Sequence, residues 1–248
     1  MHKFINKRYF IKVNIIIILS IYLIFLYLDF ASRDLRNIYS VNLKYLTIVL
    51  CFILSLLINS NGHDRVDTRL VQMSRFFNLI ADYFLVISCD FGMGIFFFIL
   101  VQVTYIIRHT RSTNRKYKNF IFFIIALTII LVITSRIEIP SIEKGIVKLA
   151  AIYAVLLITS LYCALGTISR STYSKNTSFL IALGMFLFFM CDFNVGVYNI
   201  LKESNISFSV GYLIWLFYLP SQFLLTLSGF DINYLKQVFG IYNYQYNE

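Results

Sequence analysis

The sequence predicts an all-α fold: a polytopic membrane helix bundle of about eight transmembrane helices, forming a single integral membrane domain over residues 1–248. Three observations predict it. The chain is 59% hydrophobic and only 14% charged, too apolar to clothe a soluble domain of this length in a polar surface. Its apolar runs are long enough for helices crossing a hydrocarbon core of about 30 Å. Those runs lack the alternation, over roughly ten residues, of membrane β-barrels, and 10 Gly and 2 Pro are too few for many tight turns.

The elements follow in order. The first span, 13–30, comes after a basic start, MHKFINKRYFIK. That start resembles a signal peptide, but the run is long and no small-residue cleavage site is evident, so a retained first helix is expected. The second span is 43–59. The third and fourth, 72–89 and 92–107, are joined only by Cys89-Asp90-Phe91-Gly92, a hairpin for which Gly92 and Gly94 supply conformational freedom. Asp90 is expected to serve that turn. The fifth span, 119–135, follows RHTRSTNRKYK (Arg108 to Lys118), read as a topological anchor. The sixth and seventh are 146–166 and 178–200. The eighth, 208–228, contains Pro220, which interrupts the helix and frees a backbone carbonyl at membrane depth.

The net charge of +10 does not point to nucleic acid. The Lys and Arg residues fall between the apolar runs, mostly at the N-terminus, after spans two, four and six, and in the C-terminal tail. The positive-inside rule then puts both termini on the cytoplasmic side. Richness in Ile, Lys, Asn, Tyr and Phe suggests an AT-rich genome and a bacterial cytoplasmic membrane. Cys51, Cys89, Cys163 and Cys191 have neither metal nor disulfide-framework spacing and read as small buried hydrophobes.

Two aspartates stand out, Asp82 in LIADYFLVI and Asp192 in FFMCDFNVG. A charge at the centre of a membrane helix costs about 2.5–3.5 kcal/mol on insertion scales, so such residues are functional candidates. Both fall in the middle or outer half of parallel spans, at similar depth, where no Lys or Arg is expected to neutralise them. Helical spacing gives them polar company. Asn78 lies one turn before Asp82, and Asn199 two turns after Asp192. Gln102 and Tyr105 share a face, and Trp215, Tyr218, Gln222 and Thr226 form a stripe. These groups suggest a polar pocket between spans three, four, seven and eight. Asp82 followed by Gln102, and Asp192 followed by Gln222, hint at a parallel repeat of four plus four helices.

The three histidines, His2, His63 and His109, read as lying outside the apolar spans. A buried zinc hydrolase or an intramembrane Ser–His pair would need histidine at depth, and there is no phosphate loop or dinucleotide fingerprint. No metal or cofactor is expected. The remaining equipment is two carboxylates with amides and phenols. Paired intramembrane aspartates also serve proton-coupled transporters, so a transporter or lipid-binding protein remains an alternative, as does a scaffold subunit.

The same residues resemble the YhhN family, bacterial relatives of mammalian membrane lysoplasmalogenases. Ala81-Asp82 and Cys191-Asp192 stand where the family has Gly-Asp and Ser-Asp steps. FGMGIFFFILVQVTYII is similar to the family's Gly-rich segment ending in His-x-x-Tyr, with Gln102 for the His and Tyr105 kept. LIWLFYLPSQFLLTLSG resembles its last helix, at Tyr218, Ser221 and Gln222. LKYLTIVL resembles its Lys-Pro-Leu-Thr start, with Lys44 kept and Tyr45 for the Pro. The resemblance covers about residues 43–228.

It implies hydrolysis of the vinyl-ether bond of a lysoplasmalogen, with Asp82 and Asp192 as the catalytic pair. Such a bond is hydrolysed by protonation and capture of an oxocarbenium ion by water, a problem that glycosidases solve with two carboxylates. The reading leaves open which aspartate is the acid. Gln102, Tyr105, Tyr198, Asn199, Tyr218 and Gln222 would position water and substrate, with Asn78 beside Asp82. Lys44 would meet the phosphate or else snorkel to the interface. The implied partner is a lysophospholipid in the bilayer, with no nucleic acid and no obligate protein partner.

Overall fold

The structure is a computed structural model that describes residues 2–111, 121–125, 127–130, 132, 144–200 and 206–240. Its helices are α1 (His2–Ser32), α2 (Ile38–Leu56), α3 (Arg65–Asp82), α4 (Phe91–Thr110), α5 (Lys144–Leu165), α6 (Lys175–Ile200), α7 (Ser207–Leu227) and α8 (Ile232–Phe239). Among the described residues, seven helices are long and apolar enough to cross a membrane. They match seven of the expected spans to within a few residues at most ends. The expected span 119–135 lies largely outside the described residues, of which 121–125, 127–130 and 132 are helical.

Within lipid only a helix or closed barrel satisfies its own backbone, so apolar runs of this length fold as helices. Their ends are set by polar caps. Asn37, Asp64, Asp90 and Asp231 each accept backbone N–H groups at the start of α2, α3, α4 and α8. Asp90 thus serves the turn, as expected. The hairpin differs in one respect: the residue in the left-handed region is Cys89 (φ 57°), not a glycine. Cys89 is also exposed, whereas Cys51, Cys163 and Cys191 are buried.

Each long helix packs on the next in sequence, and α7 closes the bundle by packing on α1, α2 and α3 as well as α6. Outward faces carry exposed Ile16, Leu23, Phe76, Phe96, Ile107 and Phe193, as a lipid-facing surface requires. The inner core includes Ile11, Phe25, Leu54, Phe98, Phe188 and Leu225.

Helix α3 is the exception that positions the site. Its buried stripe is mostly polar: Asp67, Thr68, Ser74, Arg75, Asn78 and Asp82, with Val71 and Ala81. Its exposed residues include Val66, Met73 and Phe76. At 1.5 Å per residue, Asp67 and Asp82 stand about 22 Å apart along one face. α3 is therefore a polar spine turned inward. Directly after Asp82 it continues as one π-helical turn, Tyr83–Ile87, with Ser88 N–H donating to Tyr83 O at 3.0 Å. Such turns occur often at functional sites.

One end of the bundle is tied by charge. Arg108 makes a bidentate pair with Asp67 (2.9 and 3.0 Å) and donates to Ser228 Oγ and O, each at 2.9 Å. Tyr173 Oη donates to Asp67 at 2.6 Å. The sequence reading placed Arg108 in an anchor loop; it is fully buried because α4 runs on to Thr110 and Asp67 meets it there. Outside it, Arg111 pairs with Asp64. The Arg111 guanidinium beside Asp64, helped by the backbone N–H groups of Asp67 and Val66, holds that carboxyl down at about 2.

Candidate functional site

Asp82 is buried at the end of α3. Its Oδ2 accepts from Asn78 Nδ2 at 2.6 Å and from Tyr218 Oη at 2.5 Å. Asn78 Nδ2 also donates to the Tyr218 oxygen at 2.9 Å, closing a triangle between α3 and α7. Asn78 sits one helical turn below Asp82, and Tyr218 reaches in from the polar stripe of α7.

Asp192, half-buried on α6, accepts from Tyr153 Oη of α5. Gln102 joins this second cluster. Its Oε1 accepts from Ser160 Oγ at 2.6 Å, and its Nε2 lies 3.4 Å from Tyr153 Oη. The two clusters meet through aromatic rings. Phe98 packs against both Tyr153 (5.9 Å between centroids) and Tyr218 (6.4 Å).

Tyr105 and Gln222 form a third group, held by a residue that the sequence reading overlooked. Arg75 is fully buried and donates to Gln222 Oε1, to Gln222 O (3.1 Å) and to Tyr105 Oη. The expectation that no cation lies near the aspartates is therefore corrected. Arg75 is two turns from Asp82 on the same face, because α3 begins at Arg65 rather than at 72. His109 is corrected too. It lies within α4, 3% exposed and stacked on Tyr105 (5.5 Å, 11°).

Three expected site residues lie elsewhere. Lys44 neither snorkels nor reaches the surface: it is buried, paired with Asp29 of α1 at 2.7 Å, and donates to Leu35 O at 2.9 Å. Ser40 Oγ donates to the same aspartate at 2.5 Å. Asn199 donates to Val195 O of its own helix at 2.8 Å. Tyr198 lines a pocket at the corner between α1 and α2. Pro220 sits inside a continuous α7, and the carbonyl it frees, Leu216 O, accepts from Tyr22 Oη of α1 at 3.0 Å.

Sequence reasoning missed Asp29, Arg75, Tyr153 and Ser160. The last two had a readable signal, being two turns apart on one face of an apolar span.

The fold and the site define a class: an all-α polytopic membrane protein with two tyrosine-bonded aspartates inside its helix bundle. Comparison with family descriptions matches residues 39–229 to the YhhN family, and the chain belongs to that family. Comparison with curated proteins and with solved structures gave no match.

Proposed function

We propose that the protein is a lysoplasmalogenase-like membrane hydrolase, cleaving the vinyl-ether bond of lysoplasmalogens by paired-carboxylate catalysis. The carrying observation is that Asp82 and Asp192 are each held by a tyrosine hydroxyl, Tyr218 and Tyr153, and that both tyrosine rings pack on Phe98. Both hydrogen bonds to Asp82 converge on Oδ2, which leaves Oδ1 as the oxygen to carry a transferable proton.

In the reaction one aspartic acid protonates the β-carbon of the enol ether, giving an oxocarbenium ion. The other carboxylate stabilises that cation and takes a proton from the attacking water. The hemiacetal so formed collapses to a fatty aldehyde and the free hydroxyl of a glycerophospho-ethanolamine or -choline. The catalytic pair is the kind that handles oxocarbenium ions in glycosidases. Gln102 and Ser160 orient Tyr153, and Asn78 orients Tyr218. The apolar tail lies among the Phe- and Ile-rich faces. Both termini face the cytoplasm, by the distribution of basic residues.

The test is aldehyde release from lysoplasmenyl-ethanolamine by purified protein in detergent. Turnover by the wild type, with Asp82→Asn and Asp192→Asn each reduced about 10²–10⁴-fold, is expected from loss of an acid or base. An inactive wild type, or active Asn variants, overturns the reading. Proton-driven uptake in liposomes without lipid turnover would favour transport instead.

A further inference from the structure

We propose that Arg33 and Arg36, at the corner between α1 and α2, form with Tyr198 and Ser207 a binding site for the phosphate of a lysophospholipid headgroup. This rests on the hydrolase reading above and gives the substrate its polar anchor. The corner holds a pocket of about 230 Å³ lined by these residues, Asp34, Leu35 and Phe208. That is smaller than the roughly 300–1,000 Å³ that takes a whole drug-sized ligand, and suits a headgroup rather than a lipid.

The two guanidiniums are presented for an anion. Arg33 lies over the rings of Phe30 (5.1 Å) and Phe208 (4.9 Å) and donates no side-chain hydrogen bond among the described residues. Arg36 uses Nη1 on Cys89 Sγ at 3.0 Å, and among the described residues the rest of its fork makes no hydrogen bond. Asp34 is the acidic neighbour, yet its Oδ1 accepts the backbone N–H of Arg36 at 2.8 Å. Among the described residues no carboxylate pairs with either arginine. Two planar forks facing one pocket match the bidentate geometry of phosphate. Lys44, the cation that the sequence put forward for this task, is already neutralised by Asp29.

Distance supports the assignment. Tyr198 follows Asp192 by six residues on α6, about 9 Å along the helix. In a lysoplasmalogen six bonds separate the vinyl-ether carbon from phosphorus, roughly 7–8 Å when extended. The axial rise from Asp192 to Tyr198 is thus comparable to the length of the substrate between its enol ether and its phosphate.

The experiment measures binding apart from turnover. The full chain in detergent is titrated calorimetrically with an ester-linked lysophosphatidylcholine, with a monoacylglycerol of the same tail, and with inorganic phosphate. The lysolipid should bind at least tenfold tighter than the monoacylglycerol. Arg33→Gln and Arg36→Gln should each weaken it about tenfold, the size of a lost charge-assisted contact, and leave the monoacylglycerol unchanged. Arg33→Lys should recover only part of the loss. With lysoplasmenyl substrate the same variants should raise KM and keep kcat.

Unaltered lysolipid binding by folded Gln variants overturns the proposal, even if the wild type is an active hydrolase. Arginine-dependent binding in a protein that turns over no vinyl ether keeps this site and discards the hydrolase. Tight arginine-dependent binding of inorganic phosphate, with no preference for the lysolipid, overturns the assignment to a headgroup.

Discussion

A tyrosine hydroxyl donating to a buried carboxylate orients it and stabilises its charge. Asp82 has two such donors, Tyr218 and Asn78, whereas Asp192 has Tyr153. The two positions should therefore respond differently to deletion. Tyr218→Phe leaves the Asn78 bond and should cost about tenfold in kcat, while Tyr153→Phe should cost more, about 10²-fold, because Gln102 cannot replace it on Asp192. Steady-state aldehyde release checks both. The aspartates were legible in the sequence because a charge in an apolar run is conspicuous. Tyr153 is one of 18 tyrosines and stands out only when read with Ser160, two turns further along the same face. Arg75 was lost to a boundary. Starting its helix at 72 placed it at the rim, while the observed start at Arg65 puts it inside.

At the scale of elements, α7 shows how the bundle accommodates a proline. Pro220 has no N–H to give Leu216 O, and Tyr22 supplies the missing donor from α1. Tyr22→Phe should destabilise the protein by about 1 kcal/mol, the usual net worth of one hydrogen bond. In a Pro220→Ala background the helix can satisfy its own carbonyl, so the cost of Tyr22→Phe should shrink toward zero. A double-mutant cycle of thermal unfolding in detergent reads the coupling. The long helices were evident from their apolar runs. The π-helical turn after Asp82 and the eight-residue α8 were not, since neither announces itself by hydropathy. α8 is held by its Asp231 cap and by burial of Leu235 and Val238, features of tertiary packing.

At the scale of the whole molecule, two buried cations among the described residues are compensated in pairs, Lys44 by Asp29 and Arg108 by Asp67. Asp67→Asn would leave Arg108 buried without its counter-ion and should cost about 3–5 kcal/mol, read as a lowered Tm in detergent. The Asp64–Arg111 pair is more exposed and sets a pH dependence. Its carboxyl is held at about 2 by Arg111, below the ordinary value of about 3.9. Its stabilisation is thus complete above about pH 4 and disappears as pH falls through about 2. Asp64→Asn keeps the helix cap but not the charge, so its Tm should lie below the wild type's at pH 6 and converge with it near pH 2. The bundle's span order was readable from sequence, but the pairing of these charges across α3, α4 and α7 depends on contacts distant in the chain. One such pairing bears on how the protein is made. The family match begins at residue 39, beyond α1, yet α1 carries the carboxylate that neutralises Lys44 of α2. The ribosome delivers Asp29 first, so α2 enters a bilayer in which its counter-charge is already waiting, and the order of synthesis itself eases the insertion of a lysine.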